Sequence, residues 1–400
     1  MNDGIVYFWI KTSDMFSTFY NKISSIIDKH IPVKQLSKKE RWFLSKPWIT
    51  TGFRKSIYIK NNLYEKFLKS NSIYTRAKFK LYRNKLNHLL KISKRKYYNN
   101  VFENTNNSKK IWKGVTEIVN FKHQTSTKQI KLRLDDCEIT GSVEVANAFN
   151  SYFSSIGNDL ARTIPSVGKN PKDYLHNCIQ CSFFIVPTTS SEIEDEISKL
   201  KSGKSTGPFS ISVGILKLLK TVLSKPLEII FNNSFSSGIV PSDMKSAHIN
   251  SSFQERFPNL LSNYRPISLL SVFHKLLEKL MYNRLINFLQ NHEILFDKQF
   301  GFRSKHNTDH AILSIVDKIQ NSIEGREYSC GIFLNFSKAF DTVNHKILLK
   351  KLEHYGIRGI ANEWFRSYLD NRQQIAIVNG VSSAKCSTSC GIPQGSVVYQ

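Results

Sequence analysis

Apolar and polar residues alternate along this chain with periods that predict mostly helices, joined by a few short strands. Over residues 61–120, Phe79, Tyr82, Leu86 and Leu89 recur at helical spacing, which predicts a long helix with one apolar stripe on a polar rod. "VEVANAFNSYFSSIG" puts Val145, Phe149, Tyr152, Phe153 and Ile156 on one helical face, with Gly157 as its stop. "EIEDEISKL" predicts another helix, and the Ser/Gly/Pro-rich stretch after it a turn. "NYRPISLLSVFHKLLEKLMYNRLINFL" reads as an Arg-Pro turn followed by a long amphipathic helix. "FDKQFGFRSKHNTDHAILSIVDKI" reads as a Gly-aromatic-Arg turn into the next, and "HKILLKKLEHYGI" and "NEWFRSYLD" add two more. "YSCGIFLNF" is a continuous apolar run of the kind that forms a fully buried strand. "QQIAIVNGVSSAKCS" alternates about Asn379-Gly380, a hairpin signal. The first sixty or so residues are mixed, with two candidate short helices and the aromatic "KPWITTGF" punctuated by Pro47 and Gly52.

Composition changes this picture mainly through charge. An apolar content of 40% over 400 residues is enough to bury a core. The net charge of +26 points to a polyanionic partner, either nucleic acid or an acidic membrane face. The longest early apolar run, "IVYFWI", is too short to span a bilayer or to serve as a secretory core, so no membrane is expected and an intracellular location is. Cys137, Cys178, Cys181, Cys330, Cys386 and Cys390 are scattered, which makes reduced thiols the default. Cys178 and Cys181 have the spacing of half a zinc site, but no second pair with histidines at zinc-ribbon spacing accompanies them.

Two stretches carry candidate chemistry on their residues alone. From Arg76 to Lys96 the chain has no acid, while Arg76, Lys78, Lys80, Arg83, Lys85, Lys91, Lys94, Arg95 and Lys96 are cationic. Such a run is either a solvated helix face or a phosphate-contacting surface with tyrosines available to stack on bases; the net charge favours the second. "GKST" around Lys204 invites a phosphate-loop reading, but the glycine that motif requires ahead of Gly203 is Ser198, and no buried strand leads into it.

"SNYRPISLL", "QFGFR", "FSKAFDTVNH" and "GIPQGS", in this order, resemble the reverse transcriptase domains of non-LTR, LINE-type retrotransposons, in particular the jockey-like group. "ANAFNSYFSSIG", "KSTGP" and "FSSGIVP" resemble the region such proteins carry just upstream, and "KPWITTGFRKSI" resembles the linker after their endonuclease. The resemblance covers roughly residues 40–398 and implies an α+β fold. Residues 1–125 would be a basic helical linker region, 126–245 a helical region preceding the polymerase, and 246–400 right-hand fingers with an incomplete palm. It also implies an RNA template and a DNA primer as partners, and two Mg²⁺ ions about 4 Å apart held by carboxylates.

Carried over by position, Arg265 is the arginine that grips the incoming triphosphate, for which a guanidinium fork is suited. Phe340 is the aromatic that crowds the sugar 2′ position. Gln394 and Gly395 belong to the loop against the nucleotide and template base, and Arg303 either anchors the fingers or touches template backbone. Lys338 and His345 read as surface residues without a role. Position 335 is where the family places its first metal-binding aspartate, and here it is Asn335. An amide supplies no charge, and losing about 4 kcal/mol of transition-state stabilisation costs about a thousandfold in rate. Asp341, beyond the turn, is expected to point away and not to substitute.

"SSFQERFP" stands where a Lys-rich stretch is usual, Phe209 stands where an acid is usual, and the Ala-Asp-Asp hairpin does not follow "GIPQGS". The expectation is a truncated copy without polymerase activity, with Mg²⁺ doubtful and no intact metal site. The alternatives are a non-enzymatic RNA- or DNA-binding protein and an unstable relic.

Overall fold

A computed structural model of the chain describes residues 12–32, 35–70, 72–105, 108–119, 130–134, 137–165, 168, 170–175, 178–203, 207–208, 211–253, 257–336 and 338–397. Lys204–Thr206, Phe209 and Gln254–Arg256, which the sequence singled out, lie outside them. The chain divides into two compact units: residues 28–126, and the remainder. The first helix, α1 (Thr12–His30), starts within the larger unit.

Residues 28–126 are helical. The helix α2 (Lys38–Leu44) begins with a capping box, in which Ser37 and Glu40 satisfy each other's backbone amides. The long helix expected over 61–120 is three helices: α3 (Thr51–Ser70), α4 (Ile73–Glu103) and α5 (Ser108–Ile118). The break before α4 is set by Ser72, whose hydroxyl accepts from the Tyr74 amide and caps the new helix. Aromatic rings tie these elements together: Tyr64 of α3 packs on Phe79 of α4 at 5.1 Å between centroids, and Tyr98 of α4 on Trp48 of the α2–α3 connection at 5.5 Å. In the predicted stripe, Leu86 is buried and Phe79 and Tyr82 are half-buried, whereas Leu89 is exposed.

The larger unit has a helical core beside a covered sheet. A small hairpin, β1 (Leu132–Leu134) and β2 (Cys137–Ile139), precedes α6 (Ser142–Thr163). The helices α7 (Ser190–Lys199), α8 (Val213–Leu218) and α9 (Lys220–Ser237) follow. Then come β3 (Ser246–Phe253), β4 (Tyr264–Leu269), α10 (Val272–Asn291), α11 (Thr308–Glu324), α12 (His345–His354) and α13 (Gly359–Leu369). The described chain closes with β5 (Arg372–Val378), β6 (Val381–Ser382) and β7 (Cys386–Thr388). The sheet runs β4-β3-β5-β6, with β7 also on β5; β3 pairs β4 antiparallel and β5 parallel. One core buries Phe231, Phe273, Leu276, Trp364 and Phe365 among the helices, and the other buries Val145, Phe149 and Phe153 of α6 against Ile249 and Ala376 of the sheet. The architecture is α+β. Among the described residues no helix is long and apolar enough to cross a membrane.

Helix starts follow the chemistry of their caps: Thr189, Ser271, Asn307 and Asn344 each accept from a backbone amide in the first turn. Asn379 and Gly380, with φ of 51° and 82°, make the expected β5–β6 turn.

Three local expectations are corrected. Gly157 does not stop α6, which continues to Thr163; a side chain there would overlap the Asp341 carbonyl and the Cys390 sulfur, so the glycine serves close approach. Arg265-Pro266 is not a turn but part of β4, an edge strand, where a residue lacking N–H is tolerated. The apolar run at 328–336 joins no sheet and is open to solvent: Ile332, Phe333, Leu334 and Phe336 are 77–86% exposed. A strand apolar on both faces needs neighbours and cover on both sides, and the described residues supply neither.

Candidate nucleotide-facing cleft

Three stretches converge at the outer edge of β4. After residue 336 the chain makes a tight turn, in which the Asp341 and Thr342 amides both donate to the Lys338 carbonyl, at 2.9 and 3.1 Å. Lys338, at φ 52°, reaches back with its ammonium to the carbonyls of Ser262 and Tyr264, at 3.2 and 3.3 Å. This fixes the turn to the start of β4.

The loop 391–397 is laid across both. The Gly391 amide donates to Val343 and the Ile392 amide to Phe340, each at 2.9 Å, and the Ser268 amide of β4 donates to the Gln394 carbonyl at 2.8 Å. His345 Nε2 donates to the Gly391 carbonyl at 2.7 Å. Gly395 has φ of 117°, and a Cβ there would come 3.0 Å from the Ser268 carbonyl oxygen, so a side chain would be both strained and crowded. Within the loop, the Gln394 amide donates to Asp341 Oδ1 at 2.9 Å.

Between these elements lies a cleft of about 560 Å³ lined by Arg265, Asn335, Lys338, Phe340, Asp341 and Gln394, among others. Arg265 and Asn335 are exposed, and Phe340 is 39% exposed with its ring edge-on to Phe302 at 5.9 Å. Phe340 therefore faces the cleft rather than the core. Burial pushes the Asp341 carboxyl above its usual range; the Gln394 hydrogen bond and the Lys338 and Arg265 charges oppose this without reversing it.

The donors at this site do not make a Mg²⁺ cradle. One carboxylate, already bonded to an amide and flanked by two cations, and one neutral amide fall short of the hard anionic set a divalent pair requires. Among the described residues no three His, Cys, Asp or Glu groups gather where an ion could be held.

The structure brings Arg265, Asn335, Phe340 and Gln394 together in that one cleft, with Gly395 shaping the loop. Asp341, expected to point away, lines the same cleft because the tight 338–342 turn folds it back. Lys338 and His345 are not the surface residues without a role that the sequence suggests: Lys338 ties the turn to β4, and His345 is buried against the loop. The Lys-Ala-Phe-Asp spacing carried a turn signal that could have placed Lys338 and Asp341 on one side.

Arg303 is elsewhere: its guanidinium donates to the Phe296 carbonyl at 2.9 Å and lines a separate cavity with Asp297 and Tyr355, which makes it an anchor of that loop. In the other unit, Arg76, Lys78, Lys80, Lys85, Lys91, Arg95 and Lys96 are exposed on α4. Arg83 and Lys94 are half-buried, lying over the rings of Phe79 and Trp48 at 5.6 and 5.4 Å. Tyr98 is not available to stack on bases, being buried with its hydroxyl on Glu117.

Residues 254–398 match the family model "Reverse transcriptase (RNA-dependent DNA polymerase)". The chain is 29% identical over 279 residues to a protein of Drosophila melanogaster described as a probable RNA-directed DNA polymerase from transposon BS, covering 68% of this chain and 30% of that protein. It is 30% identical over 237 residues to the RNA-directed DNA polymerase from mobile element jockey of the same organism, covering 58% of this chain and 25% of that protein. The probable RNA-directed DNA polymerase from transposon X-element is 27% identical, over 57% of this chain and 25% of its own length. The chain thus spans about a third or less of these relatives.

Proposed function

We propose that this chain, which carries a reverse transcriptase domain over residues 254–398 and resembles the polymerases of jockey-type non-LTR mobile elements, provides the nucleotide-facing fingers and first palm segment of an RNA-directed DNA polymerase. One observation carries this reading. Arg265, Phe340 and Gln394, far apart in sequence, line one cleft of about 560 Å³ together with Lys338. Exposed Arg265 offers a fork to the triphosphate oxygens. The Phe340 ring bounds the space beside the sugar. The loop bearing Gln394 and Gly395 offers a flat backbone surface to the base, because no side chain projects at 395.

The partners in this reading are an RNA template and a DNA primer, and the exposed cations of α4 provide a phosphate-binding surface for them. Asn335 lies in the cleft where the resemblance places an aspartate, so this copy lacks an anionic metal anchor and does not polymerise. The second reading, a protein that binds nucleic acid without catalysis, is favoured by the same neutral position together with the basic face of α4.

Equilibrium dialysis of a deoxynucleoside triphosphate against the purified chain, with an annealed RNA–DNA primer–template, tests the cleft. Arg265→Ala is expected to weaken binding at least about tenfold, the loss of one charge-assisted contact; undiminished binding overturns the assignment. Primer extension on the same hybrid tests the silence. No incorporation is expected with Mg²⁺ or Mn²⁺, and steady incorporation by the unmodified chain overturns that part alone.

A further inference from the structure

Beneath the 391–397 loop lies a buried polar cluster that the cleft itself does not use. Glu278, on α10, is 1% exposed. Its Oε1 accepts from His274 Nε2 at 2.8 Å, from the Ser396 hydroxyl at 2.8 Å and from the Tyr368 hydroxyl of α13. Its Oε2 accepts from the backbone amide of Val397 at 2.9 Å. His274 is 1% exposed, and its other ring nitrogen faces the Met244 carbonyl. The His274 ring thus bridges the Met244 carbonyl and the Glu278 carboxylate, forming a buried histidine–carboxylate pair. Burial alone would push the Glu278 carboxyl up. The adjacent His274 charge and the hydrogen bonds from His274, Tyr368 and Val397 outweigh it and hold the group down at about 2.

A buried ion pair is poor evidence of net stability, since hydrophobic replacements of similar volume often do as well. What it supplies is a set of directions. This carboxylate accepts four hydrogen bonds, three on Oε1 and one on Oε2, and two of the four come from the loop. Above, the same loop is tied to β4 through Ser268 and to Asp341 through Gln394. Ser396 is 1% exposed, so the loop enters the core just past Gly395 and meets the charge there.

We propose that Glu278 is a positioning residue that fixes the Gln394–Val397 loop from below, through Ser396 and the Val397 amide, and so sets where Gln394 and Gly395 stand in the cleft. That this loop geometry serves a nucleotide rests on the cleft reading above; that Glu278 holds the loop does not.

Glu278→Gln is the direct test, because an amide nitrogen in place of one oxygen must face either the Val397 N–H or the donors on the other side. Ser396→Ala is the second variant, removing the loop's own hydroxyl while leaving the His274–Glu278 pair in place. Hydrogen exchange by mass spectrometry on the full chain is the readout. Both variants are expected to raise exchange at least about tenfold in peptides covering 394–397, with α10 and α13 unchanged in Ser396→Ala. Unaltered exchange in 394–397 for both folded variants overturns the proposal, and so does a rise spread evenly over α10, α13 and the loop in Ser396→Ala. Triphosphate binding by the same proteins separates the two ideas. If the loop loosens but the unmodified chain binds no triphosphate, the cleft reading fails and the positioning role stands.

Discussion

The Gln394 side-chain amide donates to Asp341 Oδ1 across 2.9 Å, joining the loop after β7 to the turn before α12. It is the one neutral hydrogen-bond donor among the groups that hold the Asp341 proton affinity down, alongside Lys338 and Arg265, and burial still wins. Removing it by Gln394→Ala is expected to move the Asp341 midpoint further upward. Carbon-detected NMR titration of the carboxyl reads this directly, and a midpoint that stays put or falls argues against the contact.

Asp341 and Glu278 act on stability with opposite signs. Asp341 has a folded pKa above its usual 3.8, so the native state holds the proton more tightly; its contribution is fully present below 3.8 and is lost as pH rises through the folded value. Glu278 is held at about 2 against an ordinary 4.5, so its contribution is present above 4.5 and is lost as pH falls toward 2. Asp341→Asn is therefore expected to raise the melting temperature at neutral pH relative to the parent and to lose that advantage below 3.8. Melting curves at pH 3 and pH 7 check the crossover, and an equal shift at both would refute it.

Gly157 sits where α6 touches the Asp341 carbonyl and the Cys390 sulfur. Replacing it with alanine improves helix propensity by about 1 kcal/mol in isolation. Here the new methyl group meets backbone, and overpacking of a tight core costs about 1–3 kcal/mol, so net destabilisation is expected. Chemical denaturation distinguishes the signs: a Gly157→Ala protein as stable as the parent would mean that α6 and the turn can separate freely.

Sequence made the helices visible because their caps and stripes are local signals. The long helix after Arg265-Pro266, the Val145–Phe149–Phe153 face and the Asn379-Gly380 turn all stand where the pattern puts them. The cleft was legible only through the resemblance, since nothing local links Arg265 to Gln394. Two kinds of fact stayed hidden. Pro266 suggested a turn because a strand edge is a property of the sheet, not of the tripeptide. Glu278 is not singled out by charge or motif, although its i,i+4 partner His274 and the apolar neighbours Leu277 and Met281 put it on the buried face. A histidine and a glutamate inside an apolar stripe were the available signal.

The basic face of α4 predicts a salt-dependent affinity for nucleic acid. Lys91, Arg95 and Lys96 are exposed together near its C-terminal half. If all three meet phosphates of a single strand, replacing them with alanine lowers the slope of log affinity against log salt by about 2. Filter binding of an RNA oligonucleotide across a salt series measures that slope, and a triple variant with an unchanged slope removes this surface from consideration.

The apolar stretch 328–336 predicts where the folded chain is cut first. Tyr328, Phe333, Leu334 and Phe336 are all more than three-quarters exposed, and no ladder protects their backbone among the described residues. The preceding α11 adds exposed Ile312, Leu313, Ile315 and Val316 to the same stretch of chain. Such a segment offers both open amides and sticky side chains, the combination that invites edge-to-edge association. Chymotrypsin at low ratio is therefore expected to cleave within 328–336 before any site in α9, α10 or α13, whose aromatic residues are buried or half-buried on hydrogen-bonded helices. Phe333→Asp together with Leu334→Asp should lower self-association in sedimentation velocity without shifting the melting temperature, because neither side chain contributes to the core. A first cut in α10, or a double variant that melts lower, would show that the stretch is covered in solution.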